Sequence, residues 1–220
     1  MNIAEAKIGT GIYTAPDAAK ILRIDSRKSR YWFNYYAREK LFNSIGYRYL
    51  FSIENTIAVD FLTLIEMYVF YFLKDEVKMS VRNIIKNHTR LSEILDTPYP
   101  YAHSNIYASK KKMIFEDNGK AKYTDDLQQT FIDEFILPFY HKITFNDIEL
   151  AHKFHPLGKN KSVIVDPEHQ FGKPVIEGTN IVTETLNDYI EGGDSIEFVA
   201  NLFDITIENV KDAIEFSQVA

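Results

Sequence analysis

The feature that most limits the fold is the run His155-Pro156-Leu157-Gly158-Lys159-Asn160-Lys161, where proline, glycine and polar residues interrupt a periodic chain just ahead of the strand-like Val163-Ile164-Val165. It separates a front part, residues 1–155, from a rear part, residues 163–220, within a chain of 220 residues. That length suits one or two packed units, and two are expected. With 45% hydrophobic and 25% charged residues, the chain has enough apolar side chains for a substantial core and lacks the composition of a disordered protein.

Helical spacing dominates both parts. Val77 to Leu95 places Val81, Ile84, Ile85, Leu91 and Leu95 on one face, and Leu127 to Tyr140 repeats the pattern with Phe131, Phe135 and Ile136. Ile57 to Leu73 is apolar almost throughout, but Asp60 and Glu66 interrupt a stretch barely long enough to cross a bilayer, which predicts a buried core helix. Ile106 to Phe115, followed by Asn118-Gly119, predicts two short strands around a tight turn, with Lys110 to Lys112 in the hairpin. The expected class is therefore mainly α within α+β.

Near the start, Thr14-Ala15-Pro16-Asp17 supplies a capping hydroxyl, a proline where its missing N–H does no harm, and a carboxylate favoured by the helix dipole. Ala18, Ala19, Ile21 and Leu22 give that helix its apolar side, and Ile24 plugs the turn after it. Asp25-Ser26 then caps a second helix whose first residues are cations, Arg27, Lys28 and Arg30, with Tyr31 beside them. A helix that opens with cations directly after a turn suits the major groove of DNA. Trp32, Phe33, Tyr35 and Tyr36 are expected to anchor its far end. Tyr47-Arg48-Tyr49-Leu50-Phe51, after Gly46, predicts a wing strand presenting Arg48 to the backbone or minor groove. The alternative is a small helical hairpin with a solvated basic face.

The residues Tyr13-Thr14-x-x-Asp17-Ala18-Ala19-x-x-Leu22-x-Ile24 followed by Arg30-x-Trp32 resemble the opening helix-turn-helix of MerR-like winged-helix regulators. That family often has glycine in the turn; Arg23 stands there in this chain and is strained if it takes positive φ. The resemblance implies a DNA reader built from Arg27, Lys28, Arg30, Tyr31 and Arg48.

Charge separates the two ends of the chain. Residues 1–52 carry nine Lys/Arg against four Asp/Glu, residues 53–120 balance at nine each, and residues 121–220 carry seven against eighteen, within a total of -6. A positive front and a strongly negative rear suit two partners of opposite charge.

In the rear part, Thr183, the pair Asp194 and Glu197, and Thr206 are expected to open three short helices, with Gly192-Gly193 ending the first. Phe198, Val199, Ala200, Leu202 and Phe203 are expected to pack against Ile205, Val210, Ala213 and Ile214 in a compact trihelical, helix-turn-helix-like unit. Its last helix offers Glu208, Asp212 and Glu215 against Lys211, a face repelled by phosphates and suited to a protein partner or to dimerisation.

The stretch Gly172-Lys173-Pro174-Val175-Ile176-x-Gly178-Thr179 ahead of these helices resembles the prokaryotic family called domain of unknown function 433. That family includes antitoxins encoded beside PIN-like nuclease toxins. The resemblance implies a type II antitoxin that binds its toxin and represses its own operon, with Gly172, Lys173, Pro174, Gly178, Thr179, Glu208, Asp212 and Glu215 as partner-binding candidates. The Gly172 to Thr179 stretch is alternatively a structural turn. Where the family commonly has arginine after the Gly-Thr pair, this chain has Asn180.

The runner-up is a dimeric transcriptional regulator without a toxin, and a third reading is a hydrolase using His152, His155 and Asp166. His152-x-x-His155 is a weak metal motif if it lies on a helix. Gly9-Thr10-Gly11 lacks the residues of a phosphate cradle, and adjacent acids such as Asp125-Asp126 and Asp133-Glu134 read as solvated faces. No enzyme activity, cofactor or metal is expected. The absence of cysteine and of a signal-like N-terminus makes the cytoplasm the expected compartment, and operator DNA, the toxin and a second copy of the chain the expected partners.

Overall fold

The computed structural model describes residues 9–34, 50–53, 56–104, 106–109, 112–117, 120–123, 130–131 and 140–218. Helices alternate with three small antiparallel sheets in an α+β arrangement.

Strand β1 (Tyr13–Thr14) leads into helix α1 (Ala15–Leu22). Thr14 and Asp17 form a reciprocal capping box, with the Asp17 carboxylate accepting from the Thr14 N–H at 2.9 Å. The chain leaves α1 through Arg23 at φ 55°, so this non-glycine residue does take the left-handed conformation that strains it. Ile24 follows, buried, and its N–H donates to the Ala19 carbonyl. Helix α2 (Ser26–Tyr31) comes next, and strands β2 (Leu50–Ile53) and β3 (Thr56–Val59) form a hairpin whose β3 also pairs with β1. Leu50 and Phe51 of the expected wing strand lie in β2; Tyr35, Tyr36 and Arg48 lie outside the described residues.

Helix α3 (Phe61–Tyr71) is the apolar segment expected to be core, and it is buried on nearly every face. Its two carboxylates are accounted for by partners. Asp60 caps the helix by accepting from the Thr63 N–H at 2.8 Å, and Tyr99 donates its hydroxyl to the other oxygen. Glu66 accepts from the backbone N–H groups of Tyr101 at 2.5 Å and Ala102 at 3.1 Å, and it pairs with His88 of helix α4 (Val81–Ile94). Among the described residues, no helix is long and apolar enough to cross a membrane.

A second sheet runs in the order β4 (Ile106–Ser109), β5 (Lys112–Asp117), β6 (Lys120–Tyr123), β7 (Thr130–Phe131). It contains the expected hairpin and extends it. The helix expected from Leu127 to Tyr140 is corrected at Thr130 and Phe131, which are strand, paired with Lys122 and Ala121 at the free edge of β6, while Phe135 and Ile136 lie outside the described residues. An open sheet edge offers hydrogen bonds that outweigh a helical spacing carried by few apolar residues.

The third sheet crosses the Pro/Gly break. Strands β8 (Ile143–Phe145) and β9 (Ala151–Phe154) precede the break, while β10 (Val163–Val165) and β11 (Pro174–Ile176) follow it. All four join in the order β11-β10-β9-β8, with Val165 opposite Phe154. Residues 155–161 are thus a loop inside a sheet. Helices α5 (Thr183–Glu191), α6 (Ile196–Leu202) and α7 (Ile207–Ser217) pack behind it.

The caps differ from expectation in two places. Thr183 occupies the first turn of α5 with its hydroxyl toward the Pro174 carbonyl, and α6 is capped by Ser195, which accepts from the Phe198 N–H at 3.1 Å, in place of Asp194. Thr206 caps α7 as expected, with Asn209 completing the capping box. One buried apolar cluster runs from Tyr13 through α3 to Phe216, and Tyr68 meets Phe154 edge-on at 5.0 Å.

Candidate functional site

Helix α2 is fastened along one side and open along the other. The Asp25 carboxylate accepts from the N–H groups of Arg27 at 2.9 Å and Lys28 at 3.1 Å, and these bonds, that from Lys28 foremost, hold its pKa below the ordinary value. Ser29 is fully buried and donates its hydroxyl to the Ala15 carbonyl at 2.6 Å, which ties α2 to the start of α1. Beyond it, Trp32 and Phe33 are buried, and Trp32 meets Phe70 edge-on at 4.8 Å. Positions 29, 32 and 33 therefore share the inner face. The three- and four-residue spacing puts Arg27, Arg30 and Tyr31 together on the outer face, all exposed, with the Arg27 side chain 91% accessible.

Lys28 sits between the two faces. Its ammonium lies 3.3 Å from the Asp75 carboxylate and 5.4 Å from the centre of the Tyr71 ring, and the Asp75 hydrogen bond raises its pKa. Of the expected DNA-contacting cations, Lys28 thus already has an anionic neighbour, and Arg27 Nε lies 3.8 Å from the Asp25 carboxylate. Two basic residues of α1 and its turn point elsewhere: Arg23 donates to the Glu215 carbonyl at 3.2 Å, and Lys20 lies over the Phe216 ring at 5.8 Å. These contacts join the front of the chain to the last helix, and nothing in the linear spacing signals them.

The Gly172 to Thr179 stretch lies beside this front unit. Gln170 and Phe171 both take left-handed backbone, at φ 47° and 56°, before Gly172 at φ 81°. For a residue with a side chain this conformation costs on the order of 1 kcal/mol. Phe171 is 83% exposed. Gly172 is required by packing as well as by backbone angle, because a Cβ there would collide with the Tyr13 hydroxyl and lie 2.8 Å from Tyr13 Cζ. Gly11 lies close to the same ring, where a Cβ would lie 2.6 Å from the hydroxyl. The Tyr13 hydroxyl is buried with no hydrogen-bond partner among the described residues, and burial, then the charges of Asp166, Asp60 and Asp17, push its pKa well up.

Downstream, Gly178 at φ 78° and Thr179 form a turn in which the Thr179 hydroxyl donates to the Ile176 carbonyl at 2.8 Å and accepts from the Ile181 N–H. Backbone geometry and packing account for Gly172, Gly178 and Thr179. Lys173 and Pro174 have a different setting: they border a groove of about 480 Å³ between the segment from Gly9 to Ile21 and the segment from Phe171 to Pro174. Asp17 also lines it.

On α7 the three expected acidic contacts separate. Glu208 is exposed. Asp212 is 7% exposed and accepts from Lys161 Nζ at 2.8 Å and from the Ser162 N–H and hydroxyl at 2.9 Å each. Burial works to raise its pKa, but the bonds from Lys161 and Ser162 outweigh that and lower it. Its expected role as a surface contact is corrected: Asp212 ties α7 to the loop before β10. Glu215 shares Lys161 at 2.8 Å while its side chain stays half exposed.

Phe198 and Leu202, expected inside the trihelical unit, are 52% and 50% exposed. With seven residues α6 buries one narrow face, made by Val199 and Ala200, and positions 198 and 202 fall one turn apart on another. They form an outward apolar ridge, with Ile207 nearby in sequence also exposed. Residues 183–217 carry nine Asp/Glu against the single Lys211, and eight of those acids, all but Asp212, are exposed.

His152 and His155 stand on and just after strand β9, so no helical turn brings them together. His155 is buried, with Nε2 3.0 Å from Thr144 Oγ1, and burial lowers its pKa. Asp166 instead meets His169 at 3.0 Å and Lys153 at 3.6 Å. Among the described residues, no group of three or more His, Asp or Glu side chains is placed to hold a metal.

No curated protein matches the chain. The fold is similar to that of the crystal structure of Rv2018 from Mycobacterium tuberculosis, with a TM-score of 0.64 and 15% identity over 92% of this chain and 96% of that one. Residues 163–217, from β10 to the end of α7 and including the Gly172 to Thr179 stretch, match the family described as Protein of unknown function (DUF433).

Proposed function

We propose that the protein is a non-enzymatic, DNA-binding antitoxin that reads its own promoter through α2 and holds a PIN-like nuclease toxin with its acidic C-terminal segment. The observation that carries the DNA reading is the two-sidedness of α2, with Ser29, Trp32 and Phe33 anchored while Arg27, Arg30 and Tyr31 are presented together. A helix fixed to a rigid body and open along its cationic face is what entry into a major groove requires. Helices α1 and α2 then form the helix-turn-helix, and the β2–β3 hairpin is its wing.

The toxin half of the proposal rests on the family match over residues 163–217 together with the exposed Phe198 and Leu202 amid acidic residues. A nuclease that grips RNA offers a basic surface, and an apolar ridge with an acidic rim complements one. The same ridge favours a protein partner over the reading as a transcriptional regulator without a toxin, which shares the DNA reader.

Promoter DNA titrated at several salt concentrations with the wild type and with the Arg27→Glu, Arg30→Glu double variant tests the reader. Affinity is expected to fall to the nonspecific background while circular dichroism stays unchanged. Undiminished affinity in the folded variant rejects α2 as the recognition helix. Co-expression with the product of the neighbouring reading frame tests the partner: retention by the wild type and loss with Phe198→Ser, Leu202→Ser supports the toxin reading.

A further inference from the structure

The groove between the front unit and the Gly172 to Thr179 stretch carries an aromatic knob on its own rim. Phe171 stands 83% exposed, and Ile12 across the groove is 41% exposed, while Ile21 and Pro174 contribute to the apolar lining. Two consecutive residues, Gln170 and Phe171, adopt left-handed backbone where the chain carries this ring. A strained turn that carries an exposed apolar ring points to a contact surface.

We propose that this patch is the surface through which a second copy of the chain binds, the Phe171 ring of each copy entering the groove of the other. A knob and a hole on one patch are self-complementary, which is the condition for a two-fold interface. The charges are compatible, because the lining holds one cation, Lys173, and one anion, Asp17, on the two segments that border the groove, and a two-fold axis between those segments sets Lys173 of each copy toward Asp17 of the other. The competing apolar surface, the α6 ridge, is unsuited to self-association: its surroundings are acidic throughout, and two copies would repel. This reading deepens the proposed DNA reader by giving it a dimer surface, but it stands or falls by mass and not by DNA binding.

Light scattering on the full chain at micromolar concentration is expected to give twice the single-chain mass of 25.6 kDa. Phe171→Asn tolerates left-handed backbone, so the variant keeps its fold, and its dimer dissociation constant is expected to rise at least roughly thirtyfold, as for loss of a central aromatic anchor. Lys173→Glu, which sets like charges facing, is expected to weaken the dimer as well, whereas Phe198→Asp leaves it intact. A wild type that stays monomeric, leaving the groove to a different protein or a small molecule, overturns the proposal. So does a dimer that survives Phe171→Asn, or one that Phe198→Asp dissolves. A dimer with these properties that ignores promoter DNA refutes the DNA reading and leaves this one standing.

Discussion

Replacing Gly172 by alanine tests whether the most constrained residue of the Gly172 to Thr179 stretch is held by packing against the N-terminal unit. Two costs add. Alanine at φ 81° is strained by about 1 kcal/mol relative to glycine. Its Cβ also falls on the Tyr13 hydroxyl and 2.8 Å from Cζ, an overpacking penalty of about 1–3 kcal/mol. The expected loss is about 2–4 kcal/mol, which for a chain of this size lowers the melting midpoint by roughly 4–16 °C. Tyr13→Phe removes a buried hydroxyl that has no partner among the described residues, so alone it is expected to cost nothing or to stabilise by up to about 1 kcal/mol. In that background the worst collision is gone but the ring carbon remains, and the cost of Gly172→Ala is expected to fall by about 1 kcal/mol, beyond the scatter of independent sites. Urea unfolding of the four proteins of this cycle, followed by far-UV circular dichroism, measures it. A Gly172→Ala variant within about 0.5 kcal/mol of wild type, or an equal penalty in both backgrounds, refutes the packing argument.

Four further outcomes are expected. Glu66→Ala leaves His88 and the N–H groups of Tyr101 and Ala102 without their buried acceptor and is expected to cost about 3–5 kcal/mol in urea unfolding. The Asp212 carboxyl titrates below its ordinary value when folded, so its stabilisation is present above the unfolded pKa near 4 and is lost as pH falls through the folded value. Asp212→Asn is therefore expected to lower stability at pH 7 by about 1–2 kcal/mol, with the difference from wild type closing below about pH 4; a gap that widens in acid contradicts this. Arg30→Ala is expected to cost about 1–3 kcal/mol in promoter binding if it reads a base, seen as relaxed preference at one operator position in a titration of single-base variants. Phe198→Ser with Leu202→Ser is expected to change unfolding free energy by no more than about 1 kcal/mol, because both side chains are half exposed.

Local signals were legible in the sequence wherever the physics is local. The Thr14 and Thr206 caps, the proline in the first turn of α1 and the apolar run of α3 depend on neighbours within a few residues, and each appears in the structure as the spacing implies. The sequence pointed to Arg23 only through the resemblance, whose turn glycine makes any other residue there strained if it takes positive φ, and Arg23 does take φ 55°. The Gly172 to Thr179 stretch was legible as a family resemblance, which its match bears out over residues 163–217.

What the tertiary structure decided are the partners that lie far apart along the chain. Thr130 and Phe131 became strand because β6 offered an open edge, and a helical spacing does not reveal where a sheet ends. Asp212 was expected among surface acids, yet it is buried because Lys161 and Ser162, some fifty residues earlier, supply three hydrogen bonds that offset its desolvation. Phe198 and Leu202 read as core by composition, but only the packing of α5 and α7 determines which side of so short a helix is covered. Lys20 and Arg23 count toward the positive front of the chain, yet the fold sets both against α7. Composition and spacing report a residue's chemistry and its near neighbours. Whether that chemistry is spent internally or offered to a partner depends on contacts between residues far apart along the chain, and those exist only once the chain has folded.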